Sequence, residues 1–329
     1  MSKGFHGIYP MLYAFFRADN SLDRFAHRRQ VGACIAAGAH GLAVGGLATE
    51  CNKLSTDEKR QLVEWTIEDA ADRVPVSVTV SENTLAGQRS AIDHAHEAGV
   101  AWVVMQPPPV RGASIDALVD FFAAVASGFD LPLGIQNAPE YIGIGLDNLA
   151  IRTLANRASN IQILKAEGPP PYISGLMREL GGEFTVFNGR NGVELIDNLR
   201  AGCAGTIPSV ECCDLQVRIY DNWRSGDQQA ATAQFRHALP LLSYLMLTID
   251  HLLCYPVSHV PAAYSVALVR LDVELSVCLG FRFRYLLTHS PASGDGVGHQ
   301  CSLGDRTNTH ALKAQRQQFP GTDRKLVPD

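Results

Sequence analysis

The sequence lacks most of the signatures that would place it in a metal-dependent, nucleotide-binding or secreted class. Its eight cysteines, at positions 34, 51, 203, 212, 213, 254, 278 and 301, form no C-x-x-C pair, and the adjacent Cys212 and Cys213 have no second half with which to complete a zinc site. No G-x-S-x-G elbow, H-E-x-x-H helix or Walker loop occurs. His94 and His96 stand two apart on an expected helix, where ligands on one face need a spacing of three or four. The chemistry is therefore expected to need no metal and no cofactor.

A basic excess is missing too. The 28 Lys and Arg against 33 Asp and Glu leave a formal charge of −5, which offers no field to gather phosphate backbones or anionic lipid. Neither nucleic acid nor membrane is an expected partner. Long apolar runs are scarce: the best candidate, 239–253, contains Asp250 and is too short to span a bilayer. No basic segment leads into an apolar stretch and a small-residue cleavage site at the N-terminus, so the thiols are expected to be reduced and packed, in a cytoplasmic protein.

What is present is a globular composition, 46% hydrophobic and 19% charged over 329 residues, with strand and helix signals alternating along it. β-rich runs begin near Gly7, His40, Pro75, Ala101, Leu131, Ile161, Phe184 and Ala204, the first extending from Ile8 to Phe16. The segments between them carry apolar residues at helical spacing, such as Leu118, Phe121, Phe122 and Val125. Ser55, three before Glu58, begins a capping box, Ser114 and Asp147 are further N-caps, and Gly38 and Gly99 suit helix ends. Runs such as Trp102 to Met105 and Ile161 to Leu164 are apolar throughout, as strands buried on both faces must be. Eight such units predict an α/β fold, a closed (β/α)8 TIM barrel. The rival is a doubly wound open sheet, but the glycine-rich phosphate loop expected after its first strand is replaced by Arg17-Ala18-Asp19-Asn20.

The expected organisation is a barrel over residues 1–225, a C-terminal helical extension over 226–255 and an irregular, poorly ordered tail over 256–329. The abrupt loss of pattern past Pro256 reads as divergence or as a shifted reading frame, and that tail is taken as uninformative about chemistry.

In such barrels the working residues stand at the carboxyl ends of the strands. Lys165 closes the apolar run Ile161 to Leu164, where desolvation would favour its neutral amine, a nucleophile for a ketone. The alternative is a lysine whose head snorkels to solvent. Glu167 lies two residues on, on the same side of a strand, within reach to pair with the amine or shuttle protons. Its alternative is an ordinary loop carboxylate. Thr49 offers a hydroxyl, Glu50 reads as a structural partner for loop amides, and Gly45 and Gly46 let backbone amides approach a carboxylate.

These residues, in this order, resemble the dihydrodipicolinate synthase and N-acetylneuraminate lyase family of class I aldolases and dehydratases, from Gly7 to about Tyr255. The markers are the Gly46 to Glu50 loop followed by Lys53 to Glu58, the Asn137-x-Pro139 turn, Lys165, and the Gly189 turn leading to Gly202-Cys203-Ala204-Gly205. The resemblance implies a tetrameric or dimeric homo-oligomer in which Lys165 forms a Schiff base with a small 2-oxo acid such as pyruvate. It also implies that Gly46, Ala48, Gln136, Asn137, Gly189 and Ile207 contact substrate.

Departures from the family pattern narrow the expectation. The usual pair of threonines in the glycine loop is reduced to Thr49, the proton-relay tyrosine is replaced by Gln136, and the arginine that grips a second carboxylate is replaced by Tyr141. Lys165-x-Glu167 and Gln136-x-Ala138-Pro139 are more similar to the branch containing 2-keto-3-deoxyarabonate dehydratase. That branch implies proton removal assisted by Glu167 and loss of a β-hydroxyl as water, with Thr49 near the substrate carboxylate and Tyr141 in the place of the missing tyrosine. The alternatives are a pyruvate-dependent aldolase and a barrel that binds 2-oxo acids without turnover.

Overall fold

A computed structural model describes residues 4–254 apart from Arg111, with side chains to position 246. The tail expected to be irregular lies outside the described residues. Eight strands alternate with helices. They begin β1 (Gly7–Ile8), α1 (Arg24–Ala36), β2 (Leu42–Val44), α2 (Thr56–Ala70), β3 (Val76–Val80), α3 (Leu85–Glu97), β4 (Trp102–Met105) and α4 (Ile115–Ala126). They continue β5 (Leu133–Asn137), α5 (Pro139–Ile142), α6 (Asn148–Arg157), β6 (Ile161–Ala166), α7 (Pro170–Leu180), β7 (Thr185–Asn188), α8 (Leu195–Ala201) and β8 (Gly205–Thr206). Helices α9 (Cys213–Arg224) and α10 (Gln228–Cys254) follow with no strand between them. Among the described residues no helix is long and apolar enough to cross a membrane.

All neighbouring strands pair in parallel, in the order β1-β8-β7-β6-β5-β4-β3-β2. The seam between the two ends is closed by the Met11–Ala43 bridge and by backbone bonds from His40 N to Ile8 O and from Ala43 N to Pro10 O. The fold is thus the (β/α)8 barrel that the alternation of segments predicts.

The first strand is shorter than expected. Its hydrogen bonding to the β8 side continues through the amides of Tyr9 and Met11, while Pro10 faces the β2 side, where its carbonyl accepts from Ala43 N and it has no N–H to give; by Phe16 the chain has turned into an antiparallel bridge with Leu22. The helix signals act where the sequence places them. Ser55 and Glu58 form a reciprocal capping box, Ser114 caps α4 through the Ala117 amide, and Asp147 caps α6 through the Ala150 amide. The five cysteines at 34, 51, 203, 212 and 213 are buried, and none of them forms a disulfide among the described residues.

Strand pleating separates two apolar layers. Val103, Met105, Leu133, Ile135, Leu164 and Ala166 face the helices, whereas Tyr9, Met11, Ala43, Trp102, Val104, Ile163, Phe187 and Ile207 fill the barrel lumen. Tyr9, Trp102 and Phe187 form a triangle with ring centroids 5.3–5.4 Å apart, edge-on and stacked, which plugs the lumen with aromatic surface.

Candidate active site

Pleat alternation determines which polar residues enter the lumen. In β6 the inward Ile163 is followed two residues on by Lys165 and, just past the strand, by Glu167, while Leu164 and Ala166 turn to the helices. Register sets Lys165 between Gln136 on β5 and Phe187 on β7. Lys165 is 5% exposed, Glu167 6% and Gln136 2%.

The three side chains converge on one oxygen. Lys165 Nζ lies 3.1 Å from Glu167 Oε1, and Gln136 Nε2 donates to the same atom at 2.9 Å. The Glu167 amide is tied to Asn137 O at 3.0 Å, which continues the β5–β6 ladder one residue past the strand and fixes the carboxylate above the lysine. Against the other side of that carboxylate lies Gly189, where a Cβ would stand 2.7 Å from Glu167 Cδ, so glycine is what lets the acid sit there. An amine and a carboxylate held 3.1 Å apart in a largely dry site can pass a proton directly.

The glycine loop after β2 forms the opposite wall. The Gly45 amide donates to Thr49 Oγ1 (3.0 Å), the Gly46 amide to Met11 Sδ (3.3 Å) and the Thr49 amide to Gly46 O (3.1 Å). The amides of Leu47 and Ala48 donate to no atom among the described residues, and Ala48 packs against the lumen cluster. Two successive free amides on a tight turn make a receptor for a carboxylate. Ile207 lines the lumen beside Phe187, its amide bonded to Asn188 O at 2.8 Å.

Two expected site residues have other engagements. Thr49 is fully buried and its hydroxyl donates to Leu12 O at 2.6 Å, so its proton holds the loop to the β1 exit and is not presented to substrate. Asn137 follows the inward Gln136 and so turns outward. Its amide nitrogen donates to Leu146 O and Tyr172 Oη, both at 2.9 Å, and its oxygen accepts from Leu146 N at 2.8 Å, which pins the loop after β5 instead of meeting a ligand. Glu50, in a left-handed conformation (φ 58°), pairs with Lys53 at 2.6 Å.

Tyr141 stands at the rim on α5, exposed, and its hydroxyl accepts from Arg190 Nη1. Partial burial raises its phenol above the ordinary value against the opposing pull of Arg190, and the charge of Glu167 adds to the rise. Arg190 also donates from Nε to Glu194 Oε1 at 2.9 Å and approaches Glu140 Oε2 at 3.5 Å. Burial lifts Glu194 above the usual carboxylate range, and Arg190 opposes the rise. Of this rim cluster the sequence pointed to Tyr141 alone, in the place of the missing tyrosine. Arg190 stands at a strand exit with Glu194 four residues on, but Glu140 and Tyr141 come from about fifty residues earlier in the chain.

Known proteins resemble this chain in sequence and in fold. A family model described as the dihydrodipicolinate synthetase family matches residues 4–260. An L-2-keto-3-deoxyarabonate dehydratase of Azospirillum brasilense is 28% identical over 247 residues, covering 72% of this chain and 79% of that protein. A 4-hydroxy-tetrahydrodipicolinate synthase of Agrobacterium fabrum is 31% identical over 243 residues, covering 72% and 81%. The solved structure of YagE from Escherichia coli K12, in complex with pyruvate, superposes with a TM-score of 0.70 at 25% identity, covering 82% of this chain and 94% of that one. This chain belongs to the dihydrodipicolinate synthetase family, a family of lyases that includes synthases, aldolases and dehydratases.

Proposed function

We propose that this protein is a Schiff-base lyase that dehydrates a 2-keto-3-deoxy sugar acid. The observation that carries the reading is the shared oxygen, Glu167 Oε1, within reach of both the Lys165 amine and the Gln136 amide. Glu167 takes a proton from Nζ, and the neutral amine adds to the C2 carbonyl while the substrate carboxylate rests on the Leu47 and Ala48 amides. Loss of the C2 oxygen as water leaves a protonated imine, which acidifies C3. Glu167, by then free of the first proton, removes one from C3 to give an enamine. The enamine electrons expel the C4 hydroxyl, which leaves as water with the proton that Glu167 holds, and hydrolysis of the resulting conjugated imine frees Lys165.

Gln136 contributes by holding the base in place. An amide cannot accept a proton near neutrality, so the position gives no help to retro-aldol cleavage, which needs a base at the C4 hydroxyl. This favours water loss over the aldolase reading, and the similarity to the L-2-keto-3-deoxyarabonate dehydratase points the same way.

Incubation with pyruvate and borohydride followed by peptide mass mapping tests the core of the proposal. A reduced pyruvate adduct on Lys165 supports it, and its absence from folded protein removes it. Product analysis then separates the reactions: a deoxygenated 2-oxo acid means dehydration, and pyruvate with an aldehyde means cleavage. Unreacted substrate that nevertheless raises the melting temperature means a binding protein. The expected cytoplasmic homo-oligomer belongs to the same proposal, and light scattering of the purified chain decides the assembly.

A further inference from the structure

The rim cluster beside the lysine is built at a conformational cost. Arg190 (φ 49°) and Asn191 (φ 51°) are consecutive non-glycine residues in the left-handed region, a strain of about 1–3 kcal/mol each that persists where the surroundings over-determine it. Here the bracing comes from Ser209, whose amide and hydroxyl both donate to Asn191 Oδ1 (3.2 and 2.7 Å), and from Gln216 Nε2, which donates to Asn191 O at 3.1 Å. The product of the strain is the placement of Arg190. It follows directly on Gly189, the residue backed against the Glu167 carboxylate, and its guanidinium lies 5.7 Å from the centre of the Tyr141 ring. Among the described residues nothing accepts from its Nη2.

Charge decides what this fork can hold. One guanidinium faces two carboxylates, Glu140 and Glu194, so the cluster sums to 1 − 2 = −1, and the Lys165–Glu167 pair adds nothing to that sum. A second carboxylate arriving here meets a cation already shared by two acids. Hydroxyl groups fit better, because each can accept from the guanidinium or the phenol and donate to Glu140.

We propose that Arg190 and Tyr141 form a subsite for the far end of the substrate, selecting a chain that ends in neutral hydroxyls over one that ends in a second carboxylate. This inference rests on the Schiff-base chemistry assigned to Lys165, and it names the class of substrate that chemistry acts on.

Three probes separate the two claims: a 2-keto-3-deoxypentonate ending in a hydroxymethyl group, the corresponding acid ending in a carboxylate, and pyruvate, which has no far end. The wild-type protein is expected to favour the hydroxymethyl-ended acid in kcat/KM. Arg190→Gln and Tyr141→Phe should each raise its KM about 10- to 100-fold with kcat little changed, the loss of one or two hydrogen bonds involving a charged group. Glu140→Gln should weaken the preference against the carboxylate-ended acid. Borohydride trapping of pyruvate reads imine formation without the subsite, and the two rim variants should lose far less there than with the full substrate. A wild-type preference for the carboxylate-ended acid, or equal losses for pyruvate and the pentonate, overturns the subsite while the lysine chemistry stands. Failure of the wild-type protein to trap pyruvate at all overturns both.

Discussion

Lys165 and Glu167 are 6% and 8% exposed at their side chains, and removing one member of a buried ion pair costs far more than removing both. In Lys165→Met the Glu167 carboxylate keeps only Gln136 as a donor. Breaking such a pair costs about 3–5 kcal/mol, and the slight remaining exposure places this case near about 3 kcal/mol. At about 2–4 °C per kcal/mol for a domain of this size, the melting temperature should fall by about 6–12 °C. The double replacement Lys165→Met with Glu167→Gln removes both charges and leaves an oxygen to accept from Gln136, so it should lie within about 1 kcal/mol of the wild-type protein. Urea unfolding at fixed protein concentration and pH 7 measures all four corners of the cycle, provided the denaturant slopes agree. Costs that add to within about 0.5 kcal/mol would mean the two groups do not interact in the folded state, and the proton exchange between them would go with that result.

The other predictions concern single positions. His27, 1% exposed, is pulled down to about 4 by burial, against the opposing charge of Asp69. Because the unfolded chain binds the proton near 6.5 and the folded one resists, this stability is complete above pH 6.5 and declines toward pH 4, by at most about 3 kcal/mol. His27→Gln should flatten the pH dependence of urea unfolding across that window, and an unchanged slope would refute the assignment. Gly189→Ala drives a methyl group into Glu167 Cδ and should cut turnover at least about tenfold with a small change in melting temperature, whereas full activity would show that the carboxylate need not stay where it is. Thr49→Val loses the bond to Leu12 O and should cost about 1–2 kcal/mol in unfolding free energy while pyruvate is still trapped on Lys165. Loss of trapping without loss of stability would return Thr49 to the chemistry.

Much of the fold could be read because a parallel barrel writes itself in one dimension. Each strand must be apolar on both faces, each helix on one, and the capping residues Ser55, Ser114 and Asp147 mark where one pattern yields to the other. The Lys165-x-Glu167 pairing was readable for the same reason, since a period of two is local. Asn137 misleads because an Asn-x-Pro turn resembles a site, yet the pleat that sends Gln136 inward sends its neighbour out. Thr49 misleads for a different reason: its hydroxyl is taken by a carbonyl 37 residues earlier in the chain, and no local pattern reports it. Arg190 and Tyr141 meet only because β5 and β7 flank β6, a fact of three-dimensional closure.

The aromatic triangle of Tyr9, Trp102 and Phe187 makes the barrel a blind tube. Among the described residues that aromatic surface lies behind Lys165 and Glu167, so reactants, leaving water and exchanging protons come and go past the same strand-exit residues. The far end is insulated from that traffic: residues around its rim, such as His40 and Asp221, are open to redesign for durability without the reacting carbons sensing the change.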